Sequence, residues 1–303
     1  MNHCRKLLMS TLLSAAAALS STLHAEDITL QQGQFSIAVD PQYGGRITEL
    51  RLADTDLLAL EDRHANNFGS TFWLSPQALW NWPPVAEHDS APYQVKQSGD
   101  NFLHMESAAG AGTRVAKTIV LEGEGHTRLD YRIIAEQPFH EIAAWEITRV
   151  ANRGLAFAPV NGETVKTVRG QMDFELDNSE VLWLPMSGGG TLTEGKVIAN
   201  GSEGWLAYAV DGLLYLKIYP HVSTDNLATG EGDIELYLSG EKPYLELEVQ
   251  SAAQALAAGD ALDWSVNWLL LPIPAEVKVT PGSSALLTFT RQQVNRLRTP
   301  NLN

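Results

Sequence analysis

Cysteine is almost missing from this chain. One residue, Cys4, occurs in 303 positions, so a disulfide framework is excluded. A core large enough to hold without covalent staples must do that work. Long apolar runs are also missing after residue 25, which leaves no segment able to span a bilayer as a helix. Positive charge is scarce: 21 Lys and Arg stand against 36 Asp and Glu, for a formal net charge of -15. Such a surface is a poor match for nucleic acid or anionic lipid.

Signatures of several chemistries are missing as well. The sequence has neither a Walker phosphate loop nor a dinucleotide fingerprint, and Ser187 before Gly188-Gly189-Gly190 lacks the first half of a nucleophile elbow. His140-Glu141 is not followed by a second histidine at zinc-protease spacing. The acidic stretch from Asp225 through Glu231 to Asp233 lacks the ordered ligand spacing of a calcium loop and reads as a solvated turn. No cofactor and no metal are expected.

The N-terminus does carry a pattern. Arg5 and Lys6 precede an apolar run from Leu7 to Leu19, and Leu23-His24-Ala25 forms an acceptable cleavage site. Residues 1–25 are thus expected to be a signal peptide, and the mature chain a periplasmic or secreted protein without membrane insertion.

From there the pattern is β nearly throughout. Short alternating runs such as Gln34–Val39, Thr127–Ile134, Ile142–Val150, Leu213–Tyr219 and Tyr244–Val249 are separated by Gly, Asp, Asn and Pro. No segment of helical period approaches them in length, and no compositional break or repeat divides the chain. The expectation is an all-β protein, a large antiparallel sandwich over 26–291 with a frayed, solvated tail over 292–303.

The densest cluster of unusual residues is Trp73-Leu74-Ser75-Pro76-Gln77-Ala78-Leu79-Trp80-Asn81-Trp82-Pro83-Pro84. Prolines here argue against a regular helix or a central strand and predict a long structured loop. Indoles on a stiff segment offer flat amphipathic faces on which a sugar ring can stack. They equally suit core plugs, the reading that best fits Trp73.

Two strands can be read face by face. Alternation places Leu245, Leu247 and Val249 inward and Tyr244, Glu246 and Glu248 on the opposite face. By the same rule Leu214, Leu216 and Ile218 face inward while Tyr215, Lys217 and Tyr219 point the other way. Were these strands in one sheet, its outer face would present aromatics, a cation and carboxylates. Ordinary solvent-facing strands would carry the same residues.

These residues bear a resemblance. Pro41-Gln42-Tyr43-Gly44-Gly45-Arg46-Ile47 is similar to the opening of galactose-mutarotase-like domains. The runs Phe72–Gln77, Trp80–Pro84, Ala144–Thr148 (with Trp145) and Tyr244–Glu248 resemble the DUF4380 group within that superfamily. The resemblance implies a β-supersandwich shared by aldose epimerases, polysaccharide-lyase domains and non-catalytic glycosidase domains. It also implies, for an aldose 1-epimerase type of isomerase, a glutamate base and a histidine acid.

Glu246 or Glu248 suits the base by position, and His221 or His140 are the candidate acids, although neither histidine lies in an epimerase motif. Trp73, Trp80, Trp82, Trp145, Tyr215, Tyr244 and Lys217 are the candidate sugar contacts. Arg46 and Arg114 join them, since an arginine fork in a cleft would select an acidic sugar; each also suits an ordinary pair with one of the many carboxylates. The ligand expected is a mono- or oligosaccharide, neutral or acidic. Non-catalytic binding, and lyase or hydrolase chemistry in the same cleft, stay open beside the isomerase.

Overall fold

The computed structural model describes residues 27–58, 66–188, 193–242 and 244–299. The expected signal peptide, with Cys4, lies outside them. Two large antiparallel sheets face each other. The first sheet, of 11 strands, runs in the order Ile28–Gln32, Phe35–Asp40, Arg46–Leu52, Ser70–Ser75, Phe139–Ala151, Tyr244–Gln250, Ile234–Leu238, Gly195–Ala199, Lys166–Gly170, with two short strands off this path. The second, of 10 strands, is centred on Trp205–Val210, Leu213–Ile218, Ala261–Pro272 and His126–Ala135.

The main core fills the space between the sheets, where Leu245, Leu247, Val249, Leu236 and Phe72 of the first meet Tyr131, Tyr215, Tyr219 and Trp264 of the second. Charge is buried there too. Lys217 Nζ lies 3.0 Å from Glu146 Oε2 with both side chains fully buried, and it donates to the Leu247 carbonyl at 2.5 Å. Ser70 and Thr148 each donate to the other Glu146 oxygen at 2.8 Å.

This inverts one expectation. Tyr215, Lys217 and Tyr219 point into the space between the sheets, while Leu214, Leu216 and Ile218 form a second core on the outside of the second sheet. The cover for that outer face is a helix, Ser284–Arg298, whose Leu286, Thr290, Gln293 and Val294 are buried. Ser283 caps it by accepting from the Leu286 amide at 3.3 Å. Arg291 grips Glu203 through two nitrogens, and Arg298 donates to the Glu203 and Gly204 carbonyls. Residues 292–298, expected as a frayed tail, are the second half of this docked helix.

The tryptophan segment is also part strand. Ser70–Ser75 sits inside the first sheet between Arg46–Leu52 and Phe139–Ala151, so Trp73 belongs to a central strand and the loop begins at Pro76. A single 3-10 turn, Gln77–Leu79, follows. Asn81 then adopts φ 57, a conformation asparagine tolerates better than most residues, and the chain presents Trp82 to solvent.

Candidate functional site

The first sheet's other face, turned away from the core, lines a cavity of about 580 Å³. Strand registers explain its composition. Arg149 pairs with Glu246, Glu246 with Tyr237, Tyr237 with Lys196 and Lys196 with Arg169, so five side chains form one row across five neighbouring strands. A second row begins Trp73, Trp145, Gln250. Period-two alternation puts both rows on one face and sends Glu146 and Leu247 to the other.

The aromatic wall is built from mutually braced indoles. Trp73 meets Trp145 edge to face at 5.4 Å, Trp80 at 5.6 Å and Trp82 at 6.2 Å. Trp145 is fully buried and Trp73 nearly so, whereas Trp82 is 62 % exposed at the rim. Trp80 packs behind the wall and donates from Nε1 to the Leu74 carbonyl at 2.8 Å.

Trp73 is anchored by its ring nitrogen, which donates to Asp89 Oδ1 at 2.7 Å; Thr71 and Arg46 bond the same oxygen. The turn at Gly44 makes this approach possible, because at φ +73 a Cβ there would lie 1.9 Å from the Asp89 carbonyl oxygen. Arg149 and Lys196 lie over indole rings, at 5.4 Å from the Trp73 ring centre and 4.9 Å from that of Trp145.

Each cation is matched by acid. Arg149 Nε donates to Glu246 Oε1 at 2.7 Å. Lys196 Nζ lies 2.5 Å from Glu235 Oε2 and 3.3 Å from Glu248 Oε2, and both glutamates are fully buried. Burial pushes the carboxyls of Glu235 and Glu248 up to about 7 from an ordinary 4.5, against the pull of Lys196. Burial also raises Glu246, opposed by Arg149. For Lys196 burial acts downward, yet Glu248 and Glu235 outweigh it and hold the ammonium above its usual range. Arg169 pairs with Glu194 at 3.0 Å, and Glu231 accepts the Gln77 amide at 2.8 Å, tying the tryptophan loop to the opposite rim.

A stability profile follows from the two glutamates. Their folded pKa values exceed the unfolded value, so they stabilise most below about pH 4.5, and this contribution is lost as the pH rises through 7. Asp233, raised to about 6 by burial, acts with the same sign. The denaturation midpoint should therefore fall between pH 5 and pH 7, with a shallower slope in Glu248→Gln. A midpoint that climbs over that interval in the parent protein would contradict the arrangement.

The structure distributes the candidate residues unevenly. Glu246, Trp73, Trp82 and Trp145 line the cavity. Glu248 lies under it, holding Lys196, and Tyr244 stands beside it, its hydroxyl accepting from Asn67 Nδ2 at 3.2 Å. Trp80 is a buttress. Lys217 and Tyr215 are on the far side of the sheet, since the second sheet's polar face points into the core.

Arg46 is fully buried, clasped between the Tyr43 and Phe68 rings at 4.6 Å each and donating to the carbonyls of Asn66, Phe68 and Asp89. Arg114 is a surface residue paired with Glu136 at 2.9 Å. His221 and His140 are exposed and do not line the cavity, nor does any other histidine among the described residues. Asp233 spends its oxygens on Asn200, Gly201 and Tyr219, which makes it a buried loop anchor. Lys196, Tyr237, Glu235 and Arg149 were not anticipated. Each shares the face of Glu246, but on strands whose adjacency no local pattern reveals.

Comparison with known proteins agrees with this architecture. The family model described as Domain of unknown function (DUF4380) matches residues 25–271. No curated protein matches the sequence. Similar solved structures include a protein of Escherichia coli K12 provisionally assigned as an aldose 1-epimerase, with TM-score 0.57 and 11 % identity over 82 % of this chain and 99 % of that one. A galactose mutarotase related enzyme of Lactobacillus acidophilus gives TM-score 0.52 at 7 % identity, covering 83 % and 99 %. A galactose 1-epimerase of Lactobacillus acidophilus NCFM gives 0.50 at 9 %, covering 82 % and 95 %. At these identities the likeness is one of fold, the galactose mutarotase-like sandwich.

Proposed function

This chain belongs to the DUF4380 family, and from the site it carries we propose that it is an exported carbohydrate-active protein that binds an aldose in the tryptophan-walled cavity and interconverts its anomers. The observation that carries this reading is the joining of three indoles with Glu246, Tyr237 and Lys196 on one sheet face. The apolar face of a pyranose stacks on indole while its hydroxyls reach the polar row. The fold shared with proteins titled as epimerases and mutarotases lends support.

Glu246 is the base. It is the carboxylate of the row that borders the cavity, and Arg149 favours its ionised form. The ligand is a neutral sugar: Arg149, Lys196 and Arg169, the cations around the cavity among the described residues, already face carboxylates, and Glu231 adds a further negative charge. A second reading, binding without catalysis, is favoured by the lack of a lining histidine among the described residues.

Tryptophan fluorescence titrated with a panel of neutral and acidic sugars, and NMR of freshly dissolved aldoses, separate the two. Faster anomer exchange in the presence of the protein supports the isomerase; binding with exchange at the buffer rate leaves the binder. Trp82→Ala should weaken sugar binding by about 0.5–1.5 kcal/mol, in line with ring-stacking magnitudes, with no change in the denaturation midpoint, because the ring is mostly exposed. Unchanged affinity for every sugar that the parent binds would remove Trp82 from the site.

A further inference from the structure

Ring opening of an aldose needs a proton at the ring oxygen, and no histidine among the described residues lines the cavity to give it. We propose that Lys196, backed by the buried carboxyls of Glu235 and Glu248, is the proton donor to the ring oxygen. The proposal rests on the isomerase reading above.

Placement comes first. Lys196 and Glu246 occupy the same row with the Tyr237 strand between them. Neighbouring strands lie about 4.8 Å apart, and the Lys196 side chain reaches back over the Tyr237 strand to Glu248, next but one to Glu246 on the same strand, with Nζ 3.3 Å from Glu248 Oε2. The Lys196 and Glu246 side chains both border the cavity. A sugar ring in the cavity thus meets a carboxylate and an ammonium on the same wall. The Lys196 side chain keeps 18 % of its surface open, while its two partners keep none. Of the three side chains only Lys196 is open to the cavity, so the carboxyls act through it.

The proton inventory is the second element. One ammonium between two buried carboxylates leaves an excess negative charge, which a further proton relieves. Burial raises both glutamates to about 7, so near neutral pH the cluster holds that proton. Glu248 Oε1 is buried with no hydrogen-bond partner among the described residues, which leaves room for it. The surrounding charges are Glu246 on the Glu248 strand, Arg149 beyond it, Tyr237 beside Glu235, Glu231 before that strand and Arg169 across from Lys196. Lys196 alone, held above its ordinary pKa, would be a reluctant acid. Coupled to a carboxylic acid it releases a proton at the carboxyl's cost, near working pH.

The step balances. Glu246 takes the proton of the anomeric hydroxyl, the O1–C1 bond becomes a carbonyl, and the C1–O5 bond breaks with its electron pair going to O5. O5 takes a proton from Lys196 Nζ, and the protonated Glu235 or Glu248 returns one to Nζ. Rotation about C1–C2 and reversal of every transfer close the ring to the other anomer. Glu246 and Lys196 are the catalytic residues in this scheme; Glu235 and Glu248 are positioning and relay residues.

The experiment uses the full chain and the sugar whose anomer exchange the parent accelerates most, followed by NMR, with tryptophan fluorescence reporting binding. Lys196→Arg keeps the positive charge between the glutamates and cannot give up its proton. It should bind the sugar within a few-fold of the parent and lose about 100-fold or more in exchange rate. Glu235→Gln should move the alkaline limb of the pH–rate profile, a change that a purely structural role would not produce. An Arg variant that keeps the parent's rate, or a Gln variant whose profile is unshifted, overturns the donor role and leaves the isomerase standing. A parent that binds sugars without speeding exchange overturns the donor and the isomerase together and leaves a binder. Binding of no sugar at all removes the proposed function itself.

Discussion

Replacing Glu146 with glutamine should lower stability by about 3–5 kcal/mol, since breaking a buried ion pair strands its partner. Glu146 and Lys217 are both fully buried between the sheets, 3.0 Å apart. In Glu146→Gln the ammonium keeps the Leu247 carbonyl as an acceptor but loses the charge that offsets its desolvation. Burial already holds Lys217 below its ordinary pKa, with Glu146 opposing; removal of the glutamate leaves burial unopposed by its nearest acid and favours the neutral amine. Glu146→Gln with Lys217→Met should recover most of the loss, because no charge is then stranded. Urea denaturation of the two variants beside the parent measures both. A single variant within about 0.5 kcal/mol of the parent, the size of a surface effect, would mean that water or another group compensates Lys217.

That pair also marks where the sequence ceased to be legible. Alternation assigned the Tyr244–Gln250 strand correctly, since its first face is aliphatic and its second carries Glu246 and Glu248. In Leu213–Ile218 the same rule separated the two sets of side chains but reversed their destinations. Both faces of that strand are covered, one by the first sheet and the other by the helix Ser284–Arg298, so polarity no longer tells inside from outside. The helix escaped notice for a related reason: Thr290 and Gln293 sit in its buried stripe and break the apolar period that would have disclosed it. Its start signal, Ser283 before an apolar run, was present.

The site shows the same boundary between local and non-local information. Composition and alternation single out Glu246 and the tryptophans, which line or brace the cavity. Lys196 and Glu235 lie 50 and 11 positions before Glu246 in the sequence, and only the register of three strands unites them. A histidine acid was expected from the resemblance alone; no histidine among the described residues lines the cavity, whose lining includes Lys196, paired with Glu235 and Glu248.

Trp145→Ala should be the most damaging substitution in the cavity wall. The ring is fully buried, meets Trp73 edge to face and Trp80 at 6.5 Å, and carries Lys196 over its face. Truncating a buried tryptophan removes its transfer free energy and leaves a cavity, together about 3–5 kcal/mol. The loss extends to function, because Trp73 loses a brace and Lys196 the surface on which it rests. Sugar affinity should therefore fall even under conditions where the variant is fully folded, at low temperature and without denaturant. Trp145→Phe keeps an apolar ring and should retain more than half of the lost stability. Its missing ring N–H removes no bond among the described residues, where Trp145 Nε1 has no hydrogen-bond partner. A Trp145→Ala variant with an unchanged denaturation midpoint would refute the braced wall from which the cavity is built.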